Sequence, residues 1–157
     1  MTAKTAWTAA ALTESDINTY LTHTGSAWET WTPTVAQSVG VAVTVNRARY
    51  FRSGRMITWN CNLTVTGAGS AGVAIYVLLP VTAAIGSDSH GGGGYLYDSS
   101  ATFYYPAIPV AATTTTVQLI STATSGVANP LLGVVDFTAA LAVNDVILLA
   151  GTYEAAS

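Results

Sequence analysis

The amino-acid sequence predicts a mostly β fold, an antiparallel β-sandwich carrying a short N-terminal helix. Three observations predict it. Apolar residues alternate with smaller or polar ones in VGVAVTV at 39–45 and in ITWNCNLTV at 57–65, the period of two of a half-buried strand. From Trp31 onward Val, Thr, Ile and Tyr dominate between Gly and Pro punctuation, the composition of strands and turns. Helical spacing is confined to one capped stretch that stops near Leu21.

That stretch, LTESDINTYL at 12–21, places Thr13 as the N-cap and Asp16 at the third helical position, a shortened capping box. Leu12 before the cap and Ile17 at the fourth position are the two ends of a hydrophobic staple. Ile17, Tyr20 and Leu21 share one face, and Gly25 ends the pattern after about two turns. A helix this short needs a surface to dock on.

Strands are expected at 39–51, 55–66, 72–79, 93–98, 101–110, 115–122, 131–138 and 146–154. The first two form a hairpin about RSGR, where Gly54 can take positive φ. If the valine alternation simply continued, Arg47 and Arg49 would join the apolar face, so a bulge or the end of the core is expected near Asn46. SDSHGGGGY at 87–95 reads as a flexible loop at one end of the sandwich, because four consecutive glycines hold regular structure poorly. The tract Thr113 to Thr116 reads as a turn and SGVANP at 125–130 as a loop.

Composition limits the function classes. Only 8% of the 157 residues are charged, against about 25% in an ordinary soluble domain, and half are hydrophobic. A surface so poor in charge invites association, which makes a homo-oligomer or assembly component the favoured reading. The net charge of −3 opposes nucleic-acid binding, which needs an excess of cations. Four of the five basic residues, Arg47, Arg49, Arg52 and Arg55, lie within ten positions. Their expected task is to keep a hairpin and sheet edge soluble, or to form ion pairs with carboxylates of the same or an adjacent subunit. No run of about 20 apolar residues occurs, so no membrane insertion is expected, and the first residues do not resemble a secretory signal. Cys61 is the only cysteine and reads as a small core residue.

No motif carries chemistry. His90 with Asp88 and Asp98 matches no metal-ligand spacing. His23 and His90 lie outside any nucleophile motif, and the glycine run lacks the lysine of a phosphate loop. The expectation is a protein that is not an enzyme, with no catalytic residues, no metal and no cofactor. Aromatic residues are the more informative group. Tyr95, Tyr97 and Tyr104 crowd beside Phe103 and Tyr105, as core or subunit interface or as rings that stack on a sugar. Trp7, Trp28 and Trp31 flank the helix. Together with Leu12, Ile17, Tyr20 and Leu21 they either pin the N-terminal segment to its own domain or plug it into another protein. The chain is accordingly divided into an N-terminal docking arm, 1–31, and a β-sandwich domain, 32–157.

Three phrases share one likeness. AWTAAALTESDINTYL at 6–21 followed by WTPTV at 31–35, the hairpin ARYFRSGRMITWNCNLTV at 48–65, and LAVNDVILLAGTYEAA at 141–156 resemble the minor structural proteins of siphophages. In that family an Arg-x-Gly turn joins the hairpin, a strand ends in Leu-Pro as at Leu79 and Pro80, and a Gly commonly stands where Asn144 precedes Asp145. The resemblance implies a trimeric, jelly-roll-like antiparallel β-sandwich on the virion, on the tail or the capsid exterior. It implies an N-terminal arm that docks on other virion proteins and outward loops for host attachment. Tail fibre or minor tail protein is the first expectation and capsid decoration or head-fibre protein the second. A carbohydrate-binding module that takes host surface glycans is the third.

Overall fold

The computed structural model describes residues 28–84, 90–121, 135–136 and 139–156. The expected N-terminal helix, with Trp7, Leu12, Ile17, Tyr20 and Leu21, lies outside the described residues. Every described element is a strand: β1 (Glu29–Thr30), β2 (Val35–Gln37), β3 (Val39–Val41), β4 (Val43–Ser53), β5 (Met56–Val65), β6 (Tyr76–Leu78), β7 (Gly91–Asp98), β8 (Phe103–Ala111), β9 (Thr116–Ser121), β10 (Val135–Asp136) and β11 (Val146–Glu154).

All pairings are antiparallel, and the strands follow the path β1-β4-β5-β11-β7-β8-β9-β6-β2-β3, with β10 added to β9. The path curls into two layers because β8 changes partner half-way. Residues 103–107 pair with β7 and residues 108–111 pair with β9. Each half of β8 thus has one hydrogen-bonded neighbour, which is where Pro106 and Pro109 fit without breaking a central ladder. This is the expected antiparallel β-sandwich, with a first sheet β1-β4-β5-β11-β7-β8 and a second sheet β8-β9-β6-β2-β3.

Period-two patterning builds the core. Ile57, Trp59, Cys61, Leu63 and Val65 on β5 are all at most 2% exposed, and Ile147, Leu149 and Tyr153 on β11 are wholly buried beside them. Val35, Val77, Val117 and Leu119 close the layer from the second sheet. The hairpin turn is also as read: Ser53 pairs with Met56, and Gly54 has φ of 60°. Gly at the first central position of a two-residue turn matches the twist of the strands. The register slips between Val45 and Arg47, a bulge at Asn46. That one extra residue turns Ala48 into the core and sends Arg47 and Arg49 outward.

Two expectations are corrected. The valines at 39–45 do not share a strand. The chain leaves the second sheet after Val41 and enters the first at Val43; within β3, Val41 is buried while Val39 is 62% exposed. The crossing is held at Ala42, whose carbonyl accepts from both Thr66 N and Gly67 N. The glycine run is also not a loop. Gly91 to Gly94 open β7, paired along their whole length with β11. Glycine is required here by close approach: a Cβ on Gly92 would lie 2.4 Å from Ala150 O, and one on Gly94 would lie 1.9 Å from Leu148 O. Gly93 faces the other way, with nothing within 4 Å of its Cβ position.

Gln37, fully buried, fixes the loops at the far end. Its Nε2 donates to Val73 O at 3.0 Å and Ala139 O at 2.7 Å, while its Oε1 accepts from Ser70 N at 3.1 Å and Leu141 N at 3.0 Å. One side chain thereby satisfies four backbone groups.

Two stability measurements follow. Gly94→Ala is expected to lose about 3 kcal/mol or more in chemical denaturation, since backbone must move to admit the methyl, whereas Gly93→Ala leaves the midpoint unchanged or raises it. Gln37→Leu is expected to lose about 3–5 kcal/mol by stranding buried backbone groups, and a loss below about 1 kcal/mol would refute that role.

Candidate functional site: the outer face of the first sheet

Strand register aligns four rows of outward side chains across the first sheet. Phe51, Thr58, Thr152 and Gly91 form one, and Arg49, Asn60, Ala150 and Gly93 the next. Arg47, Asn62, Leu148 and Tyr95 follow, and beyond them Thr64, Val146, Tyr97 and Tyr104. The first two rows are nearly bare on β7 and β11, because Gly, Gly, Ala and Thr stand there. The result is an open depression of about 590 Å³.

Large side chains bound it. Trp28, 47% exposed, lines one side and meets Phe51 with ring centroids 6.3 Å apart. Farther along the same face, two rows beyond Gly93 and Ala150, Tyr104, 59% exposed, packs edge-on to Tyr95 at 5.2 Å and lies 4.7 Å from Tyr97. The three tyrosines expected to contact a ligand are thus one cluster on one face, while Phe103 and Tyr105 meet each other at 4.8 Å. Trp31 is turned inward: it packs on the core, stands edge-on to Trp59 at 6.0 Å and donates from Nε1 to Leu78 O at 3.3 Å.

Two polar atoms at the depression have no partner among the described residues. They are Asn60 Oδ1, on the outward row, and Trp59 Nε1, which lies beneath the floor on the core side beside Gly151, both buried. Gly151 makes room for the Trp59 indole: a Cβ there would come within 3.1 Å of its Nε1. Sequence reading missed both residues, and the only signal for them was their place in the β5 alternation.

The four arginines, all exposed, divide into two pairs. Around the turn, Arg55 Nε meets Glu154 Oε1 at 3.1 Å across one chain, and Arg52 Nε donates to Gly54 O at 2.9 Å. Arg47 and Arg49 stand on the outer face, and no described carboxylate forms a salt bridge with either. Glu29, Asp98, Asp145 and Glu154 are engaged elsewhere. Glu29 accepts from Tyr50 OH, a bond that raises the tyrosine pKa and ties β1 to β4. Asp145, buried, accepts from Ser99 and from Ala142 N. Asp98 accepts from the Ser100 hydroxyl, Ala101 N and Ser100 N, and its pKa is lowered, with the Ser100 hydroxyl bond the largest cause.

The residues around the glycine run serve the interior. His90 stacks on Tyr153 with centroids 5.1 Å apart and planes 7° from parallel. Tyr153 OH donates to Val81 O and accepts from Val81 N, and burial pushes its pKa up to about 12. Asp88 and His23 lie outside the described residues, and no group of three or more His, Cys, Asp or Glu among the described residues could hold a metal ion. Burial likewise raises the Cys61 thiol to about 12, so it stays protonated and inert. No described helix is long and apolar enough to cross a membrane.

No protein-family model, curated protein or solved structure matches the chain.

Two measurements test these electrostatics. Burial lowers the His90 pKa below its ordinary 6.5. Above that value the ring is neutral in folded and unfolded chains alike. As pH falls from 6.5 through the lowered value, the unfolded chain takes up more protons and stability declines. His90→Phe is expected to flatten that part of the stability–pH curve, and an unchanged slope would count against it. Arg55→Ala is expected to cost less than about 1 kcal/mol, as for an exposed ion pair.

Proposed function

We propose that the chain is a non-enzymatic structural protein of a bacteriophage virion, a tail-associated fibre or minor tail protein. Its N-terminal arm docks on other virion proteins, and its β-sandwich assembles as a trimer that is displayed for host attachment. The observation that carries this reading is the likeness of three separate phrases to siphophage minor structural proteins. Two of them contain residues whose conformation explains the pattern. Gly54 occupies the Arg-x-Gly turn at positive φ, and Asn144, standing where Gly is common, has φ of 75°, a value that Gly and Asn tolerate best.

The surface supports the oligomeric part. Val39, Met56, Phe103 and Val143 are each at least half exposed in a chain with 8% charged residues, a composition suited to burial against neighbouring subunits. Host attachment draws on the aromatic-bounded outer face, which also favours a second reading as a carbohydrate-binding module.

The deciding experiment is cryo-electron microscopy of particles that carry the protein. Density at the tail supports the proposal, threefold density on the capsid lattice replaces it with a decoration or head-fibre protein, and absence from purified particles overturns both. Deleting residues 1–27 is expected to abolish incorporation while the β-domain still folds, read by mass spectrometry of particles and circular dichroism of the free protein.

A further inference from the structure

The outer face of the first sheet combines three features that no single structural task explains. Its floor is bare where Gly91, Gly93 and Ala150 meet. An exposed ring, Trp28, lines it, and a second, Tyr104, stands exposed farther along the same face. Along β4, Arg49 sits directly opposite Asn60 and Arg47 opposite Asn62, with no described carboxylate bridged to either arginine. Structural need accounts for Gly92 and Gly94, where a Cβ would strike backbone, but not for Gly93, whose Cβ position is open. Its missing side chain keeps the depression clear.

Each feature fits one ligand chemistry. Exposed tryptophan and tyrosine faces stack on the apolar face of a sugar ring. Guanidinium groups pair with carboxylate or phosphate by paired, charge-assisted hydrogen bonds. A neutral glycan would leave the cations unused, and a nucleic acid is disfavoured by the net charge of −3.

We propose that this trough binds an acidic oligosaccharide, with Arg49 and Arg47 beside it on the same face holding a carboxylate or phosphate, Trp28 stacking on one sugar ring and Tyr104, farther along the face, on another. The proposal deepens the host-attachment reading above and rests on it for its biological setting, though not for the binding itself.

The test uses the full chain in isothermal titration against hexagalacturonate, sialyllactose and mannose 6-phosphate, with maltohexaose as the uncharged comparison. Binding to at least one acidic sugar is expected, weakening with added salt. Arg49→Ala is expected to reduce the affinity about tenfold, the effect of losing one charge-assisted contact. Gly93→Leu is expected to abolish binding by filling the trough, with an unchanged denaturation midpoint showing that the fold is intact. If that variant fails to fold, Arg49→Ala together with Arg47→Ala decides the matter. Silence towards all three acidic sugars, equal binding of maltohexaose, or full binding by the arginine variants overturns the proposal. Sedimentation of the same proteins separates the remaining occupant: a Gly93→Leu chain that loses its oligomeric state and a wild type that binds no sugar would make the face a subunit interface, also overturning it. Particle incorporation is measured separately, so the virion reading stands or falls independently.

Discussion

The close approach of β7 to β11 is the constraint on which the rest depends. At Gly92 and Gly94 the partner carbonyls occupy the space of a Cβ, so this central pairing exists only with glycine. The entropy lost in ordering such a run is higher than for any other residue, and the strand is held by β11 on one side and, from Gly94, by β8 on the other. The same absence of side chains acts on both faces. Inward, the space beside Gly151 admits the Trp59 indole, and outward the sheet is left with a depression. The packing requirement thus fixes Gly92 and Gly94, while the depression comes from the outward Gly91 and Gly93, for which no close approach calls.

Where the fold was legible in the sequence, the signal was local. The alternation of β5 places five residues in the core, and the register of a two-residue turn needs only Gly54 and its flanks. The bulge at Asn46 was legible for a different reason: without it two arginines would be buried without partners. What could not be read was set by distant contacts. Glycines favour a loop locally, and it is the distant ladder with β11 that orders them as strand, its carbonyls at Ala150 and Leu148 leaving no room for a Cβ. The valine run looked continuous because alternation does not record which sheet a strand joins, and the switch at Ala42 is fixed by hydrogen bonds from Thr66 and Gly67.

Buried polar groups show the same division. Gln37 was unremarked in the sequence, yet it anchors backbone at Ser70, Val73, Ala139 and Leu141. Asp145 joins the turn after β7 to the start of β11 through Ser99 and Ala142, and Asn144 supplies the positive φ that brings it there. The tyrosine cluster was legible as a grouping, since Tyr95 and Tyr97 share a face two residues apart and Tyr104 follows across a short turn. Asn60 and Trp59 were not, because an unsatisfied atom is a property of the assembled sheet.

The arginines show how a chain with few charges distributes them. Arg52 and Arg55 are spent at the turn, on a backbone carbonyl and on Glu154. For those two the solubility and ion-pair account is sufficient. Arg47 and Arg49 are two residues apart on a strand, so they share one face, and the bulge decides that this face is the outer one. Sliding the register back by one residue would bury both and expose Ala48. Keeping two cations outward thus requires a specific irregularity in the longest strand of the sheet. Solubility alone would be served as well by cations at the turn or the edge, without a bulge in the ladder between β4 and β5. Beside the irregularity lies a trough of small side chains lined by Trp28, and the outward pair of guanidinium groups is the charge that the proposed acidic ligand would use.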